Sequence, residues 1–220
     1  MSQVMPPIAI DWNNLFNLCA YIAVAAVAVV IGAMIYFMVK YQERKGRPEF
    51  VPEKDLHMSR VRHSVIFASI SIALLLTVSI ASFTFMPNAR FQPAGFDGLV
   101  VKVTAFQWSF RFEYPNGVTI LGQVNLPANT IVEFNITSSD VMHNFYLVEY
   151  RVSIDAIPGR YNVMWVTTPP LNGNSELSYH IECKELCGVG HTYMDANMTV
   201  MSPTAFNQWL NSQVNVTSGG

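Results

Sequence analysis

With 220 residues the chain has room for one or two modest domains. It is 51% hydrophobic and only 13% charged, against roughly 25% charged in ordinary soluble domains, a shortfall that points to membrane segments. The net charge of −2 gives no sign of a nucleic-acid partner, and three cysteines are too few for a disulfide scaffold.

Residues 1–11 read as a short tail. From Trp12 to Val39 there is no Lys, Arg, Asp or Glu. A bilayer core of about 30 Å needs roughly 20 apolar residues in a helix, so 12–39 is predicted to be a first transmembrane helix. Asp11 precedes it and no basic residue does, which is the wrong flank for a cleaved signal peptide. The segment 40–63 then carries Lys40, Arg44, Lys45, Arg47, Lys54, Arg60 and Arg62, more than half of the 13 basic residues. Positive loops stay in the cytoplasm. Residues 64–87 are uncharged again and predict a second helix. The expected protein therefore sits in the cell membrane as a helical hairpin, with its N-terminus and everything after residue 87 outside. His57 and His63 fall on the cytoplasmic side. Cys19, within the first apolar run, reads as a small packing residue.

After Pro87 the pattern changes. LVVKVTAFQWSFRFEY, TIVEFNITS, NFYLVEYRVSI, YNVMWVT and LSYHIEC are rich in β-branched and aromatic residues, and PNG, LPAN, IPGR and PPLNGN punctuate them. Short strands at this spacing predict an all-β sandwich or barrel over 88–203. In the tail, 204–220, TAFNQWLNSQV predicts a short helix and NVTSGG a frayed end.

The chemistry concentrates in CKELCGVGHTYM. Cys183, Cys187, His191 and Met194 place two thiols, an imidazole and a thioether within one short segment. Soft sulfur ligands with imidazole suit copper. A mononuclear blue copper site needs one Cys, one Met and two His, and His143 in SSDVMHNFYL is available as the second His. The extra thiol at Cys183 changes the reading, because two thiolates can bridge two copper ions, each with one His. A Cys183–Cys187 disulfide and a zinc site are the alternatives, but zinc has no use for Met194. His180 alternates within a strand and is expected to be structural or exposed.

CKELCGVGHTYM, TSSDVMHNF, SIDAIPGRYN and FQWSFRFEY together resemble cytochrome c oxidase subunit II, over most of the chain. The resemblance implies a cupredoxin-like domain with a dinuclear copper centre, CuA. It implies side-chain ligands His143, Cys183, Cys187, His191 and Met194, with Glu185 as a ligand through its backbone carbonyl. The Glu185 carboxylate would face a magnesium ion at the boundary with subunit I. Trp108 matches the family's electron-accepting tryptophan, and Glu113, Asp140 and Asp155 match acidic positions of its donor-docking face. Ten acidic and six basic residues follow Pro87, in keeping with such a face. Two departures stand out: RVRHSVIFAS lacks the carboxylate that many members carry at the start of the second helix, and Ser109 follows Trp108 where an aromatic is usual.

The implied function is electron delivery within a haem–copper oxygen reductase. Single electrons would arrive from an external cytochrome c or blue copper protein and pass to haem in subunit I, where oxygen is reduced to water. A membrane-tethered copper electron carrier and a copper-binding assembly factor are the alternatives. The first needs only one thiolate, and the second has no need of the aromatic run around Trp108.

Overall fold

The computed structural model describes residues 5–40, 42, 53–85 and 95–217. Arg44, Lys45 and Arg47 of the basic segment lie outside them. Two compact units are present, one of residues 13–86 and one of residues 1–12 with 87–220.

The first helix, α1, spans Pro7–Lys40, and the second, α2, spans Glu53–Phe85. Phe16, Tyr21, Val29, Ile31 and Phe37 of α1 are all exposed, as are Phe67, Leu75, Ile80 and Phe83 of α2. A helix apolar on every side has no face for water. At about 1.5 Å per residue, α1 is longer than the ~30 Å a bilayer core requires, and Val61–Phe83 of α2 is also long and apolar enough to cross. Three hydroxyls in α2 are satisfied by its own backbone: Ser69 donates to the Val65 carbonyl, Ser71 to Phe67 and Thr77 to Ala73, at 2.8–2.9 Å. This removes the main cost of placing them in hydrocarbon. Helix α2 starts at Glu53, well before Ser64, because EKDLHMSRVRH contains no helix breaker after Pro52.

Among the described residues ten strands follow: β1 (Leu99–Phe106), β2 (Ser109–Glu113), β3 (Thr119–Leu121), β4 (Gln123–Pro127), β5 (Ile131–Ser138), β6 (His143–Leu147), β7 (Val152–Ala156), β8 (Asn162–Thr167), β9 (Glu176–Glu182) and β10 (Asp195–Met201). They form two five-stranded sheets, ordered β3-β2-β1-β5-β8 and β4-β10-β9-β6-β7. The pairs β1–β5 and β4–β10 are parallel and the rest antiparallel. Side chains alternate across each strand. Val132, Phe134, Ile136 and Ser138 of β5 point inward, as do Leu177, Tyr179 and Ile181 of β9. Phe145 of β6 lies at the centre, with ring centroids of Phe134, Phe110 and Phe112 at 5.3, 5.5 and 6.3 Å. This is the expected all-β sandwich.

Several expected runs divide where the chain turns. LVVKVTAFQWSFRFEY becomes the hairpin β1–β2, reversing at Gln107 and Trp108 with Phe106 paired to Ser109. Strands β3 and β4 belong to different sheets, and the chain crosses between them at Gly122, whose φ of +66° is easy only for glycine. The C-terminal helix, α3, spans Pro203–Thr217, so it continues into NVTSGG beyond the short helix expected. The Ser202 hydroxyl accepts from Ala205 N–H at its start, and Pro203 occupies the first turn. Phe206 is buried, and Trp209 packs edge-on against Tyr114 at 5.4 Å, so α3 closes the open end of the sandwich core.

Candidate metal centre

The centre lies where two chain segments meet. One is the connection from β9 to β10, residues 183–194, which includes a short 3-10 turn at His191–Tyr193. Cys183 N–H donates to the Met194 carbonyl at 3.1 Å and closes this loop at its base. The other segment is the start of β6, where His143 shares the inward face with Phe145 and Leu147 and is fully buried.

The ligand-type atoms form a connected chain. His143 Nδ1 is 3.9 Å from Cys183 Sγ, the two sulfurs are 3.9 Å apart, and Cys187 Sγ is 3.6 Å from His191 Nδ1 and 3.7 Å from Met194 Sδ. The Glu185 carbonyl oxygen lies 3.3 Å from Cys183 Sγ. Ligand atoms of His143, Cys183 and Cys187 all fall within 4.8 Å of one another, and all three residues are buried. Both cysteines are free thiols, not a disulfide. Burial pushes the Cys187 thiol up to about 11, and the neighbouring Cys183 adds to the shift. A metal bound there would have to displace this proton, because a thiol binds metal as thiolate. A buried His, two buried Cys and a buried Met suit copper in donor type and in exclusion of water. Among the described residues this is the one group of three or more His, Cys, Asp or Glu side chains poised for a metal, and the Glu185 carboxylate is not part of it.

Around the ligands stands a set of supports, among them Asp140, expected from the sequence to face a donor, and Gln107, not singled out by it. Asp140 Oδ1 is 2.8 Å from His143 Nε2 and Asp140 Oδ2 accepts from Gln107 N–H at 2.7 Å. Burial works against ionisation of Asp140, but hydrogen bonds from Gln107, His143 and Val141 together hold its carboxyl below the usual value. A carboxylate on the outer nitrogen leaves Nδ1 of His143 aimed at the sulfurs and fixes the ring. Gln107 also donates from Nε2 to the Cys187 carbonyl at 2.7 Å. Trp108, about 40% exposed, lies on the loop itself: a Cβ on Gly190 would fall 2.4 Å from its ring, and one on Gly188 would fall 3.5 Å from Nε1. Gly190 of GVGH is therefore a place where only hydrogen fits beneath the indole, whereas at Gly188 the ring is at ordinary contact distance and the constraint is the φ of +120° with Gln107 Nε2 3.0 Å from a Cβ. The Asp three residues before His143 was a readable signal, since a carboxylate so placed reaches back to the ring. Gln107 carried none.

The acidic residues expected at a docking face all have partners within the chain. Asp140 holds His143. Asp155 accepts from Asn144 Nδ2 at 2.7 Å. Glu113 pairs with Lys102 at 2.8 Å across β1 and β2. His180 is exposed as expected, its Nδ1 2.9 Å from Glu149.

Residues 118–201 match the family model described as cytochrome c oxidase subunit II, periplasmic domain. A haem–copper oxidase subunit 2 from Aeropyrum pernix is 32% identical, over 98% of this chain and 95% of its own length. The chain belongs to the haem–copper oxidase subunit II family. A probable cytochrome c oxidase subunit 2 from Rickettsia prowazekii is 30% identical over 93% of this chain and 68% of its own. The solved periplasmic domain of cytochrome oxidase subunit II from Bradyrhizobium japonicum superposes with a TM-score of 0.51 at 26% identity, covering 56% of this chain and 98% of that one. The protein is thus subunit II of a haem–copper terminal oxidase, a membrane protein with two candidate spans, a cupredoxin-like domain and a His/Cys/Cys/Met cluster of copper-binding type. The free-standing carrier and the assembly factor fall away as descriptions of the chain.

Gly190→Ala forces a methyl group into the Trp108 ring. The full chain in detergent is expected to lose about 1–3 kcal/mol of stability, as for other overpacked sites, read as a lowered melting temperature. An unchanged melting temperature would mean that the indole moves aside freely.

Proposed function

We propose that this subunit accepts single electrons from an external donor at a dinuclear copper centre, CuA, and delivers them to haem in subunit I for the reduction of oxygen to water. The observation that supports two metals rather than one is the order of the atoms: imidazole, thiol, thiol, imidazole, with sulfurs 3.9 Å apart and one ring nitrogen beside each. A single copper uses one thiolate and leaves Cys183 without a task. Bound copper would supply reversible one-electron chemistry, spread over two ions so that each bond changes little.

The chain's own part is to hold the ligands. Cys183, Cys187, His143, His191 and Met194 would hold the copper through their side chains, and Glu185 through its backbone carbonyl. A magnesium ion at the Glu185 carboxylate would need further ligands from subunit I. Trp108 is the proposed point of electron uptake, because it is exposed on one side and rests on Gly188 and Gly190 of the ligand loop on the other. Val189, between those glycines, is 91% exposed and offers the donor an apolar contact. Glu113, Asp140 and Asp155 would act on the donor mainly through long-range attraction, since charge raises encounter rates even where a carboxylate is already hydrogen-bonded. A cytochrome c or a small blue copper protein satisfies these requirements. The concentration of Lys and Arg between residues 40 and 62 supports an extracytoplasmic N-terminus and copper domain, with the proposed divisions at 1–11, 12–39, 40–63, 64–87, 88–203 and 204–220.

The full chain loaded with copper is expected to hold two ions and give the EPR signal of one electron delocalised over both. Cys183→Ser should abolish that signal. One copper per chain with a blue mononuclear spectrum would sink the dinuclear reading. Trp108→Ala is expected to slow electron uptake at saturating donor while copper content stays full; uptake at the parental rate would reduce Trp108 to a packing residue. Protease added to intact, right-side-out cells should cleave the copper domain, and cleavage only after lysis would invert the orientation.

A further inference from the structure

Gln107 sits at the reversal between β1 and β2, in the sheet that contributes no candidate ligand. It nonetheless touches both halves of the candidate centre. Its backbone N–H donates to Asp140, whose other oxygen holds His143. Its side-chain amide donates to the Cys187 carbonyl, and because a carbonyl only accepts, the amide nitrogen must face it. Both bonds are 2.7 Å long. Gly188, with φ of +120°, leaves room for this amide: a Cβ there would fall 3.0 Å from Gln107 Nε2.

His143 and Cys183 are 40 residues apart in the chain; the strands that carry them pair directly, Tyr146 with Glu182 and Leu147 with Ile181, and Gln107 adds a bridge from the opposite sheet at the ligand end. We infer that Gln107 is a positioning residue of the metal centre, one that fixes the ligand frame without binding metal. The amide sets the plane of the peptide that follows Cys187. That plane, with the base of the loop held by Cys183 N–H, fixes the direction of the Cys187 Cα–Cβ bond and so of its sulfur. The same residue clamps Asp140 and through it the ring of His143. A merely structural Gln107 would satisfy a loop carbonyl and stabilise the fold with or without metal. A positioning Gln107 acts on how the metal is held.

The inference rests on the copper reading, so the parental chain is the first measurement. Full-length protein in detergent is loaded with copper, and failure to bind copper through thiolate would defeat that reading before any variant is compared. Gln107→Leu removes the amide at similar size. Gln107→Asn keeps an amide but shortens its reach. Both variants are expected to melt like the parent when metal-free and to take up the parental amount of copper. They are expected to release it to a chelator about 10–100-fold faster, the usual range for support residues around a metal, with an altered copper hyperfine pattern and a shifted midpoint potential. Parental release kinetics and an unchanged EPR spectrum in Gln107→Leu would overturn the inference. So would equal loss of stability in metal-free and loaded protein. If Gln107→Leu fails to fold, Gln107→Asn carries the test, and failure of both to fold would make Gln107 a determinant of folding and equally overturn the positioning role.

Discussion

Strands β9 and β10 lie side by side, and the bond from Cys183 N–H to the Met194 carbonyl is where their ladder ends and the ligand loop begins. It brings the first and last sulfur-bearing residues of CKELCGVGHTYM together at the base of a loop whose remaining members must then face inward or be exposed. Cys187 and Met194 go in; Leu186, Val189 and Tyr193 go out. Without that closure a twelve-residue segment would lose far more entropy on ordering than a few soft contacts return. With it, Cys187 Sγ is held within 4 Å of both Cys183 Sγ and Met194 Sδ on a two-strand support. His143 joins them only because β6 is hydrogen-bonded to β9, through Tyr146 with Glu182 and Leu147 with Ile181. The sheet therefore does what a metal site on a free loop cannot: it fixes the ligands before the metal arrives.

How far the site was readable from sequence follows from this division of labour. Residues that bond to metal must be chemically special, so His143, Cys183, Cys187, His191 and Met194 stand out by type and spacing. Residues that hold the ligands need only a donor, an acceptor or the absence of a side chain. Gln107, Gly188 and Gly190 are ordinary letters, and their task appears only when β1 and β2 fold back and lay Gln107 and Trp108 on the loop. Asp140 lies between: its charge suggested a role toward a partner, whereas its position three residues before His143 gives it a role toward a ligand. The strands were legible where apolar alternation is long, as in β5 and β9. They were not where a glycine moves the chain between sheets, as at Gly122, because periodicity cannot report which sheet a short strand joins. The membrane helices were legible for the simplest reason, an uncharged run of sufficient length. Their ends were less so, because α2 continues through charged residues that are good helix formers in water.

The surroundings of the centre answer two opposed demands. A soft-metal site gains from a dry, apolar shell, which keeps water off the metal and strengthens its fixed ligand bonds. His143 accordingly has no exposure, and Phe145 and Leu147 continue its face of β6 into the aromatic core. The proposed electron donor, however, would have to come close from outside. On the proposed reading Trp108 would reconcile these demands through glycine. Any side chain at Gly190 would lift the indole off the loop by the thickness of a methyl group, so the loop's exposed turn is made thin where the indole crosses it. The ring then lies against Gly190 of the ligand loop while remaining about 40% exposed. In the proposed electron uptake such an aromatic contact would need no movement, since each partner in it is held by the backbone: Trp108 by the β1–β2 hairpin, and the glycines by a loop closed at its base.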